Sequence, residues 1–133
     1  MDRTFERSFD SLNDIFAFVD ELLAERGLDP SIEHDAKFAL EELFTNIVKY
    51  GAKSGTPVTV GLDLLPDRLV IVLTDPDSEF FDIRQRAEVR VDAPLEERRP
   101  GGLGIHLVKK LMDDIDYEYV GRRSRTTLTK RLD

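Results

Sequence analysis

At 133 residues the chain has the length of one domain, 1–133, and can bury a core without a structural metal or disulfide; it contains no cysteine. Nineteen Lys and Arg against 27 Asp and Glu give a net charge of −8, a field that repels nucleic acid and anionic membrane, so an anionic ligand must be held by local devices. No apolar run approaches the ~20 residues a bilayer needs, and Met1-Asp2-Arg3-Thr4-Phe5 lacks the apolar core of a signal peptide, so a soluble cytoplasmic protein is expected.

Weak alternation over Thr4-Phe5-Glu6-Arg7-Ser8-Phe9 predicts a short edge strand. Ser11 or Asp10 can then cap a helix through Ile15, Phe16, Val19, Leu22 and Leu23, ended by Gly27. Asp29-Pro30 offers a cap followed by proline at the first helical position, opening a long helix that runs to about Lys49 or Tyr50 and stops near Gly51. Within it Ala39, Leu40, Leu43, Phe44, Ile47 and Val48 recur at helical spacing and form a core stripe. Glu42 and Asn46 stand one turn apart on another face, with Lys49 and Tyr50 a turn further on.

Val58, Val60, Leu62 and Leu64 alternate with polar residues as in a half-buried strand, and the wholly apolar run Leu69-Val70-Ile71-Val72-Leu73 reads as a central one, ending at Thr74-Asp75. From about 78 to 100 charges interrupt every apolar pattern, which predicts a lid or a disordered segment. Pro100-Gly101-Gly102-Leu103-Gly104 leads into a helix through Ile105, Val108, Leu111 and Met112. A terminal hairpin follows, turning across Gly121-Arg122-Arg123-Ser124. The predicted class is α/β, more narrowly α+β: a two-layer sandwich with helices on one face of a mixed, mostly antiparallel sheet.

Few residues here can carry chemistry. The glycines at 101, 102 and 104 let backbone approach a ligand, and the free N–H groups of a first helical turn suit phosphate; alone, such a cluster is a hinge. Asp75 at a strand end can accept a hydrogen bond from an exocyclic amine, although an isolated Asp before Pro76 is more often a turn former. Asn46 offers a neutral oxygen that Mg²⁺ accepts beside phosphate, or is a buried amide satisfied by backbone. Glu42 is a general base or a solvated helix carboxylate, and Lys49 by itself is more often a surface charge than a phosphate contact. His34 and His106 give little support to a metal site. No Gly-x-Ser-x-Gly or Walker-type sequence is present.

Taken together, Glu42-x3-Asn46-x2-Lys49-Tyr50, then Asp75, then Gly101-Gly102-x-Gly104-Ile105-His106-Leu107-Val108 resemble the N, G1 and G2 boxes of the GHKL ATPase superfamily, which covers gyrase, histidine kinases and mismatch-repair ATPases. The run from Pro100 to Asp113 is similar to the bacterial anti-sigma factor serine kinases. The resemblance implies the GHKL ATPase (Bergerat) fold, with ATP and Mg²⁺ as ligands. Asn46 would hold Mg²⁺, Glu42 would activate the attacking hydroxyl, and Asp75 would read the adenine amino group. Lys49, Asp77, Gly101, Gly102, Leu103, Gly104, Ile105 and Thr127 (or Thr129) would surround the nucleotide beneath the lid.

The activity so implied is that of a serine/threonine kinase that sequesters a sigma factor and phosphorylates a serine on a STAS-type anti-anti-sigma partner, with a homodimer by analogy. One departure stands out. The family's first glycine box reads Asp-x-Gly, whereas Asp75-Pro76-Asp77 puts a side chain and a negative charge where the family leaves bare backbone. That departure supports an alternative, a non-catalytic partner-switching binding module with a degenerate ATP site. A third reading, the catalytic domain of a sensor histidine kinase, would need a dimerisation helix bearing a phosphoacceptor His.

Overall fold

The longest helix, α2 (Pro30–Tyr50), is set by its ends. The Asp29 carboxylate accepts a hydrogen bond from the Ser31 N–H at 2.9 Å, and Pro30 fills the first helical position, where a missing donor costs nothing. Gly51 closes the helix, its N–H donating to the Ile47 carbonyl at 2.8 Å with φ at −112°, an angle open to any residue. The computed structural model describes residues 1–24, 26–51, 54–85 and 102–132.

Helix α1 (Ser11–Leu23) starts without a side-chain cap at Asp10; instead the Ser11 hydroxyl donates to the Glu6 carbonyl at 2.8 Å. It ends at Leu23, and Gly27 turns the chain with φ of 59° only after that. Ile15, Phe18, Val19 and Leu23 are its buried stripe, so Phe18 rather than the expected Phe16 is the core aromatic.

Among the described residues, five strands form one sheet: β1 (Asp2–Phe5), β2 (Val58–Leu64), β3 (Arg68–Asp75), β4 (Asp114–Val120) and β5 (Arg123–Arg131), in the order β1-β2-β3-β5-β4. All four pairings are antiparallel, a narrower result than the mixed sheet the sequence allowed. β3 is central, as its apolar run predicts, and β1 is an edge. The turn between β4 and β5 takes only Gly121 and Arg122, with positive φ at Gly121 alone, the pattern of a type II′ hairpin. Arg123 and Ser124, assigned to the turn from sequence, pair instead with Val120 and Tyr119, because this two-residue turn already matches the twist of the strands.

Alternation then decides the layers. Val58, Val60, Leu62, Leu69, Ile71, Leu73 and Leu128 face the helices and are at most 2 % exposed. They pack with Phe18, Leu40 and Phe44 and with Ile105 and Val108 of α3 (Gly102–Leu111). Truncating Phe44, which has no exposed surface, to Ala would cost about 3–5 kcal/mol. After β3 the chain forms a short 3₁₀ turn, Ile83–Gln85. Most of the predicted lid, 86–100, lies outside the described residues.

Candidate functional site

A cavity of about 420 Å³ opens between the C-terminal half of α2, the end of β3 with the segment after it, and the β4–β5 hairpin. That is the size of a small-molecule site. Helix α2 lines it with Leu43, Asn46, Ile47 and Tyr50, residues spaced i, i+3, i+4 and i+7 and therefore on one face. β3 contributes Leu73 and Asp75, and β5 contributes Ser124 and Thr126. Asn46 is 8 % exposed, so its amide is offered to the cavity rather than to bulk water.

The β3 end of the wall is built around a buried ion pair. Arg7, in the loop after β1, grips Asp75 with both terminal nitrogens: Nη2 to Oδ1 at 2.6 Å and Nη1 to Oδ2 at 3.0 Å. The side chains are 2 % and 3 % exposed. Arg7 Nε also donates to the Thr56 carbonyl at 3.1 Å. Breaking such a pair by removing one partner costs about 3–5 kcal/mol, because the other charge is left buried.

Position 51 is a glycine for reasons of space. A Cβ there would lie 2.6 Å from Arg7 Nη1 and 2.8 Å from the Ile47 carbonyl oxygen.

The Asp77 N–H donates to Asp75 Oδ1 at 3.0 Å, but its side chain has a partner of its own. Its carboxylate accepts from Arg122 Nε at 2.7 Å, and the Arg122 guanidinium, followed by a hydrogen bond with Ser54, holds its pKa below the usual carboxylate value. The Ser78 N–H donates to the Arg122 carbonyl at 2.7 Å, the Tyr119 hydroxyl to the Ser78 carbonyl at 2.8 Å, and the Phe81 N–H to the Tyr117 hydroxyl at 3.0 Å. The segment after β3 is thus pinned to the hairpin. The negative charge expected to oppose a nucleotide is met by a cation from the other side of the cavity mouth.

Glu42 lies beside the cavity, over the first turn of α3. Its carboxylate sits so close to the Gly104 backbone that a Cβ at that position would overlap it. Burial pushes the Glu42 pKa up, Glu41 adds to the rise, and Lys49 opposes both without cancelling them. One turn of α2 beyond Glu42, Asn46 enters the cavity wall.

The structure therefore brings Asn46, Asp75 and Asp77 to one cavity and sets Glu42 against Gly104. Other expected residues fall elsewhere. Lys49 is exposed and outside the cavity wall, acting on Glu42 only through its charge. Ile105 is 3 % exposed and belongs to the core. Gly102 and Leu103 contribute the backbone of the first turn of α3, and Gly101 lies outside the described residues.

Thr127 is corrected to Thr126. Leu128 is buried in the core, so strand alternation puts Ser124 and Thr126 on the cavity side and Thr127 with Thr129 on the opposite face. Arg7 was missed altogether, since nothing local marks a cation whose partner is 68 residues away.

The chain is similar to known proteins in sequence and fold. The profile of the family described as "Histidine kinase-like ATPase domain" matches residues 5–130. The serine-protein kinase RsbW of Halalkalibacterium halodurans is 31% identical over 85 residues, 62% of this chain and 52% of the relative, so the chain spans about half the length of the curated relatives it matches. Among solved structures, the RsbU and RsbW domains of a Mycobacterium tuberculosis protein superpose with a TM-score of 0.71 at 19% identity, covering 99% of this chain and 32% of that one. The SiaB–SiaC complex of Pseudomonas aeruginosa gives 0.65 at 15% identity, covering 98% and 88%. At those identities the likeness is one of fold.

Proposed function

The chain belongs to the histidine kinase-like ATPase domain family, and on that premise we propose that it is an anti-sigma serine/threonine kinase: it binds ATP, phosphorylates a serine on a STAS-type anti-anti-sigma protein, and holds a sigma factor when that antagonist is phosphorylated. The observation that carries the proposal is the Glu42 carboxylate seated on bare backbone at the start of α3, one turn from Asn46. The naming of the RsbW relatives as serine-protein kinases supports serine as the acceptor.

In this reading ATP enters the cavity with its adenine toward Asp75 and its phosphates toward the N–H groups at the start of α3. Asn46 would hold Mg²⁺ through its carbonyl oxygen, sharing it with phosphate oxygens. The donor type fits such a shared site: Asn46 lines the cavity at 8 % exposure, and a neutral amide oxygen is a ligand that Mg²⁺ accepts beside phosphate oxygens and water. Mg²⁺, when bound, neutralises charge on the transferring phosphoryl group.

Glu42 takes the proton of the serine hydroxyl as its oxygen attacks the γ-phosphorus, and ADP leaves with the electrons of the broken P–O bond. A carboxylate whose pKa is raised by burial is a better base for this step than a solvated one. The second reading, a binding module that ignores ATP, rested on Asp77, and the pairing of that carboxylate with Arg122 weakens its ground.

Titration calorimetry with Mg-ATP, followed by transfer of labelled γ-phosphate to a STAS-domain protein, tests the proposal. Binding with serine phosphorylation is expected. Binding without transfer to any such partner would favour the non-catalytic module, and absence of binding would remove ATP from the account.

A further inference from the structure

A carboxylate offers about four acceptor positions. At Asp75 three are filled by the protein: Arg7 Nη2 (2.6 Å) and the Asp77 N–H (3.0 Å) share Oδ1, and Arg7 Nη1 (3.0 Å) takes one side of Oδ2. The fourth, on Oδ2, belongs to a side chain that lines the cavity. Arg7 is itself held by the Thr56 carbonyl, and its Nη1 occupies the space that a Cβ at position 51 would need, so the plane of the carboxylate is fixed from behind. A guanidinium fork does this and an ammonium cannot, because only the fork bonds both oxygens in one plane.

We propose that Arg7 is the specificity-determining positioning residue of this pocket: by holding Asp75 in a bidentate grip it leaves one fixed acceptor, which selects purine nucleotides with an amino group at C6 over those with a carbonyl there. The proposal rests on the ATP reading of the same cavity and deepens it. A 6-amino group donates to the remaining acceptor. A 6-oxo group would set oxygen against oxygen with no proton between them, leaving two buried acceptors unpaired.

The test uses the whole chain and three Mg-nucleotides: ATP, inosine triphosphate (6-oxo) and purine riboside triphosphate (6-H). Binding is measured by titration for the parent, Arg7→Lys and Gly51→Ala, with thermal unfolding followed for each. The parent should bind ATP at least about tenfold more tightly than the other two, the scale of one well-placed buried hydrogen bond. Arg7→Lys should bring the ratio to within about threefold, through weaker ATP binding rather than tighter inosine triphosphate binding. Gly51→Ala keeps Arg7 in the sequence and displaces it, so it should move the ratio in the same direction.

A purely structural role would weaken all three nucleotides alike, and an unchanged ratio in both folded variants would overturn the proposal while leaving ATP binding intact. A parent that binds the three equally would overturn it as well. A parent that binds none would defeat the ATP reading and this inference together.

Discussion

Asp75 and Glu42 are carboxylates at the same candidate site, and the fold treats them in opposite ways. Asp75 sits beneath a two-point guanidinium grip with a backbone N–H added, and is 3 % exposed. Glu42 is pressed against a glycine, and burial outweighs the nearby Lys49 in setting its proton affinity. A group that only recognises a ligand gains from being fixed in place. A group that must accept a proton gains from an environment that does not stabilise its charge fully. In the proposed reading the contrast separates a recognition end from a chemical end, and substitutions at each should differ in kind.

The largest effect should follow from Glu42→Gln. Loss of a general base costs roughly 10²–10⁴-fold in transfer, while Mg-ATP affinity should stay within a few-fold, since the base acts on the nucleophile. The same variant should be more stable at neutral pH. A carboxylate with a raised folded-state pKa binds protons more strongly folded than unfolded, so its contribution to stability falls as pH rises through that window, and neutral Gln escapes the loss. Parallel assays of transfer and thermal unfolding check both; a variant that is inactive and less stable would make Glu42 structural. For the parent, transfer should fall as pH drops through the Glu42 pKa, with the acid limb shifted upward from that of a solvated glutamate.

Gly104→Ala comes next. Its Cβ must displace the end of a flexible side chain, so the fold should survive while the carboxylate moves, and a shift of about 1 Å can cost roughly 10²-fold in rate. Equal loss of melting temperature and activity would show that α3 itself had been disturbed. Asn46→Ala should lower affinity about tenfold with Mg²⁺ present and much less in EDTA, the pattern of a lost cation ligand. Equal losses under the two conditions would remove the metal role.

The smallest effect belongs to the cavity mouth. Arg122→Ala exposes the Asp77 charge and should weaken Mg-ATP binding a few-fold, and adding Asp77→Gly should restore it. Additive losses in the double variant would mean that the two residues act separately.

Much of the fold was legible because its signals are local. Asp29-Pro30 marked the start of α2, the alternation of Val58, Val60 and Leu62 marked a half-buried strand, and the run 69–73 marked the centre of the sheet. The phase of β5 is legible too: Leu128, the one apolar residue among threonines, puts Thr126 on the core face and Thr127 on the other. The Arg7–Asp75 and Asp77–Arg122 pairs were not legible. Each joins charges far apart in the chain, and a lone Arg or Asp carries no periodic signature of its partner. Asp77 therefore read as a charge opposing ATP until the hairpin supplied its counter-ion.

Gly51 ends α2 at a φ that any residue can adopt, so its side chain is excluded by the neighbouring guanidinium and carbonyl alone. Positions 7 and 51 should therefore covary across homologous chains. Arginine at 7 should travel with glycine at 51, and a larger residue at 51 should be found only where the arginine has already been lost. An alignment in which alanine or serine at 51 accompanies Arg7 as often as glycine does would show that the helix end yields more readily than its geometry here implies.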